Sequence, residues 1–360
     1  MAKLRVHPDF HLNGNPLKVS ELKKVAVDFV ETGEQHEEEV GHFLLSWLDD
    51  KKYVLVNTSG STGNPKEIRL LKKHMVNSAK ATAKRLKLPE KTTALLCLPS
   101  RYIGGKMMLV RAMVLGWKID LVPPKSNPLD AVFKRYDFCA MIPFQLDNSI
   151  NRLHLVSKLI IGGGVFSEAL KNKVQDIDTK IFETYGMTET ISHIAIRRVN
   201  ANNENSNSVR PFKALKNVSF ASDSRGCLVI KAPKVSTDPV ITNDVVELLS
   251  YKKFLLLGRI DNVVNSGGIK LYPEHIETKL SPQIEVPFFL AGEPDIALGE
   301  KLILVIESEA IDGVALDFAM LDKYEIPKAV YFIPNFERTG NGKLRRGATL
   351  KKLNSAATSK

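Results

Sequence analysis

Short apolar runs alternate with helix-like segments along the first half of the chain, and this alternation constrains the fold more than any other feature. The β-type runs lie at 53–56, 68–71, 93–98, 119–122, 138–142 and 159–161. The segments with helical spacing or composition lie at 19–30, 40–48, 73–86, 106–115 and 167–174. Strands separated by helices predict an α/β fold with a largely parallel sheet, and the run at 68–71 predicts the return strand of a hairpin.

The pattern changes beyond residue 200. An Asn-, Ser- and Glu-rich stretch at 200–208 predicts a loop, and the short β-type runs that follow predict a smaller antiparallel region. After residue 260, helical and strand-like runs predict an α+β lid. A chain of 360 residues is too long for one ordinary core. We therefore expect a large N-terminal domain over 1–260, with mixed or parallel sheets, and a small mobile C-terminal domain over 261–360.

Composition excludes several classes of protein. The net charge is +11, but Lys and Arg are spread along the chain, which favours small anions such as nucleotides as partners and not nucleic acid. No apolar run is long enough to span a bilayer and no secretory signal is evident. The cysteines Cys97, Cys139 and Cys227 have apolar neighbours and form no CxxC pair, which predicts reduced core residues in a cytoplasmic protein.

A loop rich in glycine and hydroxyl residues follows the first β-type run of this half. The residues that suit an anion are Thr58, Ser59, Gly60, Ser61, Thr62, Gly63 and Lys66. The hydroxyls are donors, the glycines let backbone N–H groups approach closely, and the lysine adds a cation. The Walker A spacing is absent. The loop is therefore either a phosphate-binding loop or a Gly/Ser-rich hairpin turn.

Two further motifs suit a nucleotide. The triplet Gly162, Gly163 and Gly164 after an apolar run permits close approach of a flat ligand, although an ordinary βα turn has the same composition. In the motif 185–190, Tyr185 can stack on a purine and Glu189 can hold Mg²⁺ through its oxygens. A surface carboxylate is the alternative for Glu189.

Three more polar positions follow. Asp244 and Arg259 lie near strand ends, where a carboxylate can accept both hydroxyls of a ribose and a guanidinium can donate to the sugar or to phosphate. Lys343 lies in a glycine turn at 338–343, for which a polar loop is the alternative.

In this order along the chain, from about 53 to 350, the motifs resemble the ANL superfamily of acyl-CoA synthetases, nonribosomal adenylation domains and beetle luciferases. The resemblance implies ATP, Mg²⁺ and coenzyme A as cofactors or co-substrates. It implies that the loop at 58–66 wraps the β- and γ-phosphates, and that the glycine triplet and Tyr185 flank the adenine. Thr188 would touch the α-phosphate and Glu189 the Mg²⁺, and Asp244 with Arg259 would hold the ribose.

The same resemblance assigns the second half of the reaction. Asp261 would be the hinge between the domains, and Lys343 would bridge the carboxylate and the α-phosphate during adenylation. Rotation about the hinge would bring Gly267, Gly268 and Lys270 over the acyl-adenylate for the thiol step.

The chain departs from that pattern in three places. Only 57 residues precede the phosphate loop, fewer than is usual in the superfamily. Asn243 stands where the usual Thr-Gly-Asp has glycine, and Arg101-Tyr102 stands where many members carry an aromatic residue followed by histidine.

The short chain and the segment 101–111 resemble o-succinylbenzoate–CoA ligases of menaquinone biosynthesis. Such a dicarboxylic aromatic acid needs a cation for the carboxylate that is not activated. The candidate residues for the acid are Arg101, Tyr102, Lys106, Arg111 and His193. For each of them a surface or helix-end position is the alternative.

Other functions remain open. The chain could be another acyl- or aryl-CoA ligase, or a stand-alone adenylation domain that loads a carrier protein. A degenerate nucleotide-binding regulator is the non-enzymatic alternative. It is disfavoured because decay would be expected to lose at least one residue of the motifs, whereas five of them are all present, namely Lys66, Glu189, Asp244, Arg259 and Lys343. The sequence does not indicate an oligomeric state.

Overall fold

The computed structural model describes residues 6–57, 67–164, 166–200, 210–284, 286–309, 316–338 and 344–357, with side chains as far as 353. The helices are α1 Val19–Thr32, α2 Gln35–Leu48, α3 Lys72–Leu86, α4 Ile103–Leu115, α5 Pro143–Ser149, α6 Glu168–Lys173, α7 Pro273–Leu280 and α8 Arg346–Ala357. Single 3₁₀ turns span Ile150–Leu155, Thr188–Thr190 and Ile260–Asn262.

The strands of the first half are β1 His11–Leu12, β2 Asn15–Pro16, β3 Tyr53–Asn57, β4 Glu67–Leu71, β5 Thr93–Leu96, β6 Lys118–Leu121, β7 Tyr136–Met141, β8 Val156–Ile161, β9 Lys180–Gly186 and β10 His193–Arg198. Those of the second half are β11 Phe212–Ala214, β12 Ser219–Ser222, β13 Cys227–Lys231, β14 Val240–Ser250, β15 Lys253–Arg259, β16 Val264–Ser266, β17 Ile269–Leu271, β18 Phe288–Asp295, β19 Gly299–Glu307 and β20 Ala329–Ile333.

Within the described ranges, thirteen strands form one sheet in the order β12-β13-β14-β15-β11-β10-β9-β8-β7-β5-β6-β1-β2. The neighbours from β1 through β6, β5, β7 and β8 to β9 are parallel. From β9 to β12 every pairing is antiparallel. The predicted α/β class is confirmed, and the predicted antiparallel region is present, since β10–β15 pair antiparallel and extend the parallel sheet.

Alternate residues of the parallel strands enter two cores, one on each face of the sheet. Ala94 and Phe138 belong to the core that also contains residues of α3 and α4. Leu95 and Cys139 belong to the core formed with α5, α6 and the turn Ile150–Leu155. Burial on both faces explains why these strands are almost continuously apolar in the sequence.

The hairpin and the second sheet complete the fold. β3 and β4 pair antiparallel from Tyr53↔Leu71 to Asn57↔Glu67, as predicted, and residues 58–66 between them lie outside the described part of the chain. β16–β20 form a second sheet, in which β20 pairs parallel with β19. The last strand of the large sheet ends at Arg259 and the next strand begins at Val264. The domain boundary at 260/261 remains a prediction.

The three cysteines are buried and free, as predicted. The Sγ atoms of Cys97 and Cys139 lie 3.6 Å apart, and the hydrogen bond with Cys97, together with burial, raises the pKa of the Cys139 thiol. In the described helices, no segment combines the length and the hydropathy that crossing a bilayer requires.

A buried lysine fastens α2 to α3. Lys72 is 1 % exposed, and its Nζ donates to the Oδ1 of Asp49 at 2.7 Å and to the Asp49 carbonyl at 2.9 Å. Removing the carboxylate leaves a buried ammonium short of an acceptor, whereas removing the ammonium leaves a carboxylate that water can reach.

We therefore expect Asp49→Ala to lower the free energy of unfolding by about 2–3 kcal/mol and Lys72→Met by only about 1 kcal/mol. Urea denaturation monitored by fluorescence measures both values. The exposed neighbour Asp50 supplies the matched control, because Asp50→Ala should change the stability by less than about 0.5 kcal/mol. An equal cost for Asp49→Ala and Lys72→Met would contradict this asymmetry.

Candidate functional site

The glycine triplet lies at the carboxyl ends of parallel strands, the edge at which ligands bind in open α/β sheets. The N–H of Gly162 donates to the Met141 carbonyl at 3.3 Å, and Thr184 Oγ1 donates to the Ile161 carbonyl at 2.9 Å. A Cβ at residue 162 would lie 2.5 Å from Thr184 Oγ1. A larger residue there would displace the Thr184 hydroxyl, which favours glycine, and Gly163 with the following glycine is exposed. The triplet suits a flat ligand laid against backbone.

Tyr185 follows on the neighbouring strand, and most of its ring is covered. Its centroid lies 5.7 Å from that of Phe212 and 5.1 Å from that of Phe254, and the residue is 9 % exposed. Its hydroxyl donates to Asp244 Oδ2 at 2.5 Å. Burial, followed by the charge of Asp244, raises the pKa of Tyr185 far above its ordinary value. The tyrosine thus fixes the carboxylate predicted for the ribose, while its contact with adenine remains a prediction.

The structure brings together three residues that the sequence placed near separate strand ends. Asp244 and Arg259 are register partners on β14 and β15. Arg259 Nη1 donates to Asp244 Oδ1 at 3.1 Å, and Nη2 donates to Asp261 Oδ2 at 2.8 Å. A carboxylate oxygen can accept two hydrogen bonds, so Asp244 keeps capacity for the two hydroxyls of a ribose.

Asn243 and Arg225 belong to the same cluster but were not among the predicted site residues. Asn243 Nδ2 donates to Asp261 Oδ1 at 3.2 Å. Arg225 donates to Asn243 Oδ1 at 3.2 Å and to the Thr242 carbonyl at 3.1 Å. The Asn243 position was visible in the sequence as a departure from Thr-Gly-Asp. Arg225 gave no signal, because it sits in an ordinary polar turn between β12 and β13.

The 3₁₀ turn Thr188–Thr190 contains Glu189, the residue that the sequence predicts to bind Mg²⁺. Thr190 is fully buried, and its Oγ1 donates to the carbonyls of Met187 at 3.0 Å and Ser192 at 2.8 Å. This fixes the turn and leaves Glu189 exposed. No group of three potential metal-ligating side chains occurs in the described part of the chain. A single carboxylate fits Mg²⁺, which typically takes one or two carboxylates with substrate phosphates and water.

Arg111, on α4, contacts Ser192, which follows this turn, and has no acidic partner among the residues that the structure describes. The residue is 2 % exposed, Nη2 donates to Ser192 Oγ at 3.0 Å, and Nη1 approaches Met108 Sδ at 3.6 Å. Its Nε has no hydrogen-bond partner among the described residues. Burial lowers the pKa of Arg111 to about 10, so the side chain is still a cation at neutral pH. A buried, under-satisfied guanidinium is well suited to accept a carboxylate.

His193 adjoins Arg111 but does not add positive charge. Its Nε2 lies 3.2 Å from Thr82 Oγ1 and its Nδ1 lies 3.3 Å from Ser192 Oγ. Burial, followed by the charge of Arg111, lowers the pKa of His193 to about 3. The imidazole is therefore neutral at neutral pH. His193 contributes hydrogen bonds next to Arg111, and it does not supply the cation that the acid needs.

The other acid candidates hold the loop before α4. Arg101 is exposed, and its Nη1 pairs with Glu39 Oε1 at 3.2 Å. Lys106 Nζ donates to the carbonyls of Ser100 at 2.6 Å and Arg101 at 2.9 Å, and burial lowers its pKa to about 8. The guanidinium of Arg101 lies 5.2 Å from the ring centroid of Tyr102. Lys106 and Arg111 are five residues apart and therefore lie on different faces of α4. The structure does not bring these two cations together.

The residues predicted for the thiol step form a tight turn between β16 and β17. Gly267 and Gly268 have φ values of 58° and 83°, as a two-residue hairpin turn requires. Lys270 follows on β17 and is exposed. Lys343 and the residues of the 58–66 loop lie outside the described ranges, and their roles remain predictions.

A parallel sheet with a glycine triplet at its strand ends, next to a Tyr–Asp–Arg cluster, defines a nucleotide-binding α/β enzyme. A profile described as AMP-binding enzyme matches residues 18–215. The chain belongs to this family of AMP-binding enzymes.

Individual relatives agree with this membership. A structure of an acyl-CoA synthetase (AMP-forming)/AMP-acid ligase II-like protein from Dyadobacter fermentans is 33 % identical, with a TM-score of 0.60, over 92 % of this chain and 98 % of that one. The O-succinylbenzoate Coenzyme A Synthetase of Bacillus subtilis, solved with ATP and magnesium ion, shares the fold with a TM-score of 0.69 at 22 % identity, over 82 % of this chain and 69 % of that one.

A curated relative, the 2-succinylbenzoate–CoA ligase of Lactococcus lactis, is 23 % identical over 83 % of this chain and 70 % of its own length. The Staphylococcus aureus protein of the same name is 25 % identical over 83 % of this chain and 66 % of its own length. The chain thus spans about two-thirds of these proteins. The predicted superfamily and enzyme class, an AMP-forming acid–CoA ligase, are confirmed.

Proposed function

We propose that this enzyme converts o-succinylbenzoate to its coenzyme A thioester in menaquinone biosynthesis, with ATP, Mg²⁺ and coenzyme A. A carboxylate oxygen of the acid attacks the α-phosphorus of ATP and releases pyrophosphate. The thiol of coenzyme A then attacks the acyl carbon and releases AMP. The observation that carries the choice of acid is Arg111, a buried cation next to the turn that holds Thr188 and Glu189, for which the described part of the chain supplies no acidic partner.

The nucleotide part rests on the cluster at the sheet edge. Gly162–Gly164 would face the adenine, and Asp244 with Arg259 would hold the ribose. The loop at 58–66 would hold the β- and γ-phosphates. Glu189 would bind Mg²⁺, which neutralises charge on the phosphates. Asp261 would be the hinge at the 260/261 boundary, and we place the reaction in the cytoplasm.

The acid is supported by the names of several relatives, including those from Lactococcus lactis and Staphylococcus aureus. A ligase for another acid is the second candidate. The Dyadobacter fermentans relative is more similar, at 33 % identity, and its name specifies no acid.

ATP–pyrophosphate exchange across a panel of acids tests the proposal. We expect o-succinylbenzoate to stimulate exchange at least tenfold over benzoate, malonate and octanoate, and mass spectrometry to detect its coenzyme A thioester. Exchange driven by a different acid would reject o-succinylbenzoate as the substrate and would still support an acid–CoA ligase. Binding of ATP without exchange on any acid would favour the degenerate regulator.

A further inference from the structure

The 3₁₀ turn Ile260–Asn262, called here the junction turn, connects the last strand of the large sheet to the second sheet. Two consecutive side chains of this turn, Asp261 and Asn262, form hydrogen bonds with different elements. Asp261 accepts from Asn243 of the large sheet at 3.2 Å. Asn262 donates to Glu274, on α7, at 2.5 Å. The large sheet and helix α7 therefore each contribute one side chain that restrains the junction turn.

Asn243 is suited to its place because its amide both donates and accepts. Nδ2 faces both oxygens of Asp261, at 3.2 and 3.4 Å, while Oδ1 accepts from Arg225. Arg225 is itself fixed by Asp223, with Nε 2.9 Å from Oδ2. An aspartate at 243 would face Asp261 with a like charge, and a glycine would offer no side-chain contact.

The same residues lead to the ribose carboxylate. Arg259 spans Asp244 and Asp261 with its two terminal nitrogens. A continuous set of hydrogen bonds thus runs from Arg225 through Asn243 and Asp261 to Arg259 and Asp244. A ligand that binds Asp244 therefore changes the hydrogen bonds of Arg259, which also holds the junction turn through Asp261.

We propose that Asn243 and Arg225 are positioning residues that restrain the junction turn and couple its orientation to the nucleotide bound at Asp244. This inference rests on the proposed function. Because the superfamily pattern has glycine at this position, the restraint is a departure of this chain from that pattern. Loss of the Asn243 contact should raise the population of orientations of the junction turn that this contact disfavours.

Distance measurements between spin labels on the two sheets test the restraint directly. Labels at Lys253→Cys and Ile296→Cys use exposed positions, and the three native cysteines are buried. We expect Asn243→Ala to raise the population of distances that are minor in the wild type about three- to tenfold, the effect of one side-chain hydrogen bond. Asn243→Asp should raise it at least as much.

Two controls address the cause. Adding Asp261→Asn to Asn243→Asp reverses donor and acceptor, so the double variant should return to the wild-type distribution. Asn148, whose amide donates to the Phe144 carbonyl at 2.8 Å on α5, is the matched control, and Asn148→Ala should shift nothing.

A kinetic measurement supplies a readout that general destabilisation would not give. In Asn243→Ala the ratio of the pyrophosphate-exchange rate to the thioester-forming rate should change at least threefold. An unchanged distance distribution and an unchanged ratio would overturn the inference. A titration of unlabelled wild-type enzyme with AMP separates the two claims, since absence of binding would overturn the proposed function, whereas the nucleotide-free distances still decide whether Asn243 restrains the turn.

Discussion

Arg111→Leu is expected to lower kcat/KM for o-succinylbenzoate by about 10- to 100-fold, because a charge-assisted hydrogen bond contributes about 1.5–3 kcal/mol. The guanidinium is buried, and within the described ranges its contacts are Ser192 Oγ and a methionine sulfur, while its Nε has no partner there. A carboxylate of the acid would satisfy these donors. Pyrophosphate exchange over a range of acid concentrations measures the effect.

Analogues of the acid sharpen this test. An analogue in which hydrogen replaces the carboxylate that is not activated should react slowly with the wild type and almost equally slowly with Arg111→Leu, because the two changes remove the same contact. Arg152 is a matched arginine elsewhere in the chain that donates to the Val132 carbonyl, and Arg152→Leu should leave kcat/KM within twofold. Equal losses for acid and analogue in Arg111→Leu would mean that Arg111 does not bind the second carboxylate.

Stability provides an independent check on the same residue. A buried charge without an acidic partner carries a desolvation cost, and an apolar replacement of similar volume often leaves stability unchanged or higher. We therefore expect Arg111→Leu to retain the melting temperature of the wild type even though its activity falls. A joint loss of stability and activity would indicate a structural role for the guanidinium.

The sequence was sufficient for the fold class because its strong patterns are local. The strands β5, β7 and β8 are apolar runs between helical segments, α1 has helical apolar spacing and α3 has helical composition. The strands β9 and β10 were not predicted. β10 ends in two arginines, and β9 combines polar and apolar positions, so neither has the continuous apolar run of β7 and β8. Which strands pair depends on contacts distant in sequence, and local patterns do not encode it.

The candidate site shows the same division. The sequence identified Asp244, Arg259 and Asp261 individually, since each sits in a recognisable motif. That Tyr185 donates to Asp244 could not be predicted, because its ring is placed by Phe212 and Phe254 from other strands. The neutral state of His193 likewise depends on its burial next to Arg111, and the residue type alone does not reveal that burial.

Lys343→Ala is expected to abolish acyl-adenylate formation, with a loss of at least about 100-fold, as for removal of one preorganised donor at a developing charge. Thioester formation from preformed acyl-adenylate should keep most of its rate, because no charge develops on the α-phosphate in that step. Pyrophosphate exchange measures the first half-reaction, and release of AMP from added acyl-adenylate and coenzyme A measures the second.

The flanking residues make a folding defect a poor explanation of such a loss. Arg338 pairs with Glu307 and forms a β-bridge with Leu344. Arg346 donates to Glu277 through both terminal nitrogens, at 2.7 and 2.8 Å. These contacts anchor the residues that flank the turn to β19 and to α7. Lys351, which is exposed on α8, is the matched control, and Lys351→Ala should affect neither half-reaction. If Lys343→Ala lowered the rates of both half-reactions equally, this lysine would not have a specific role in adenylation.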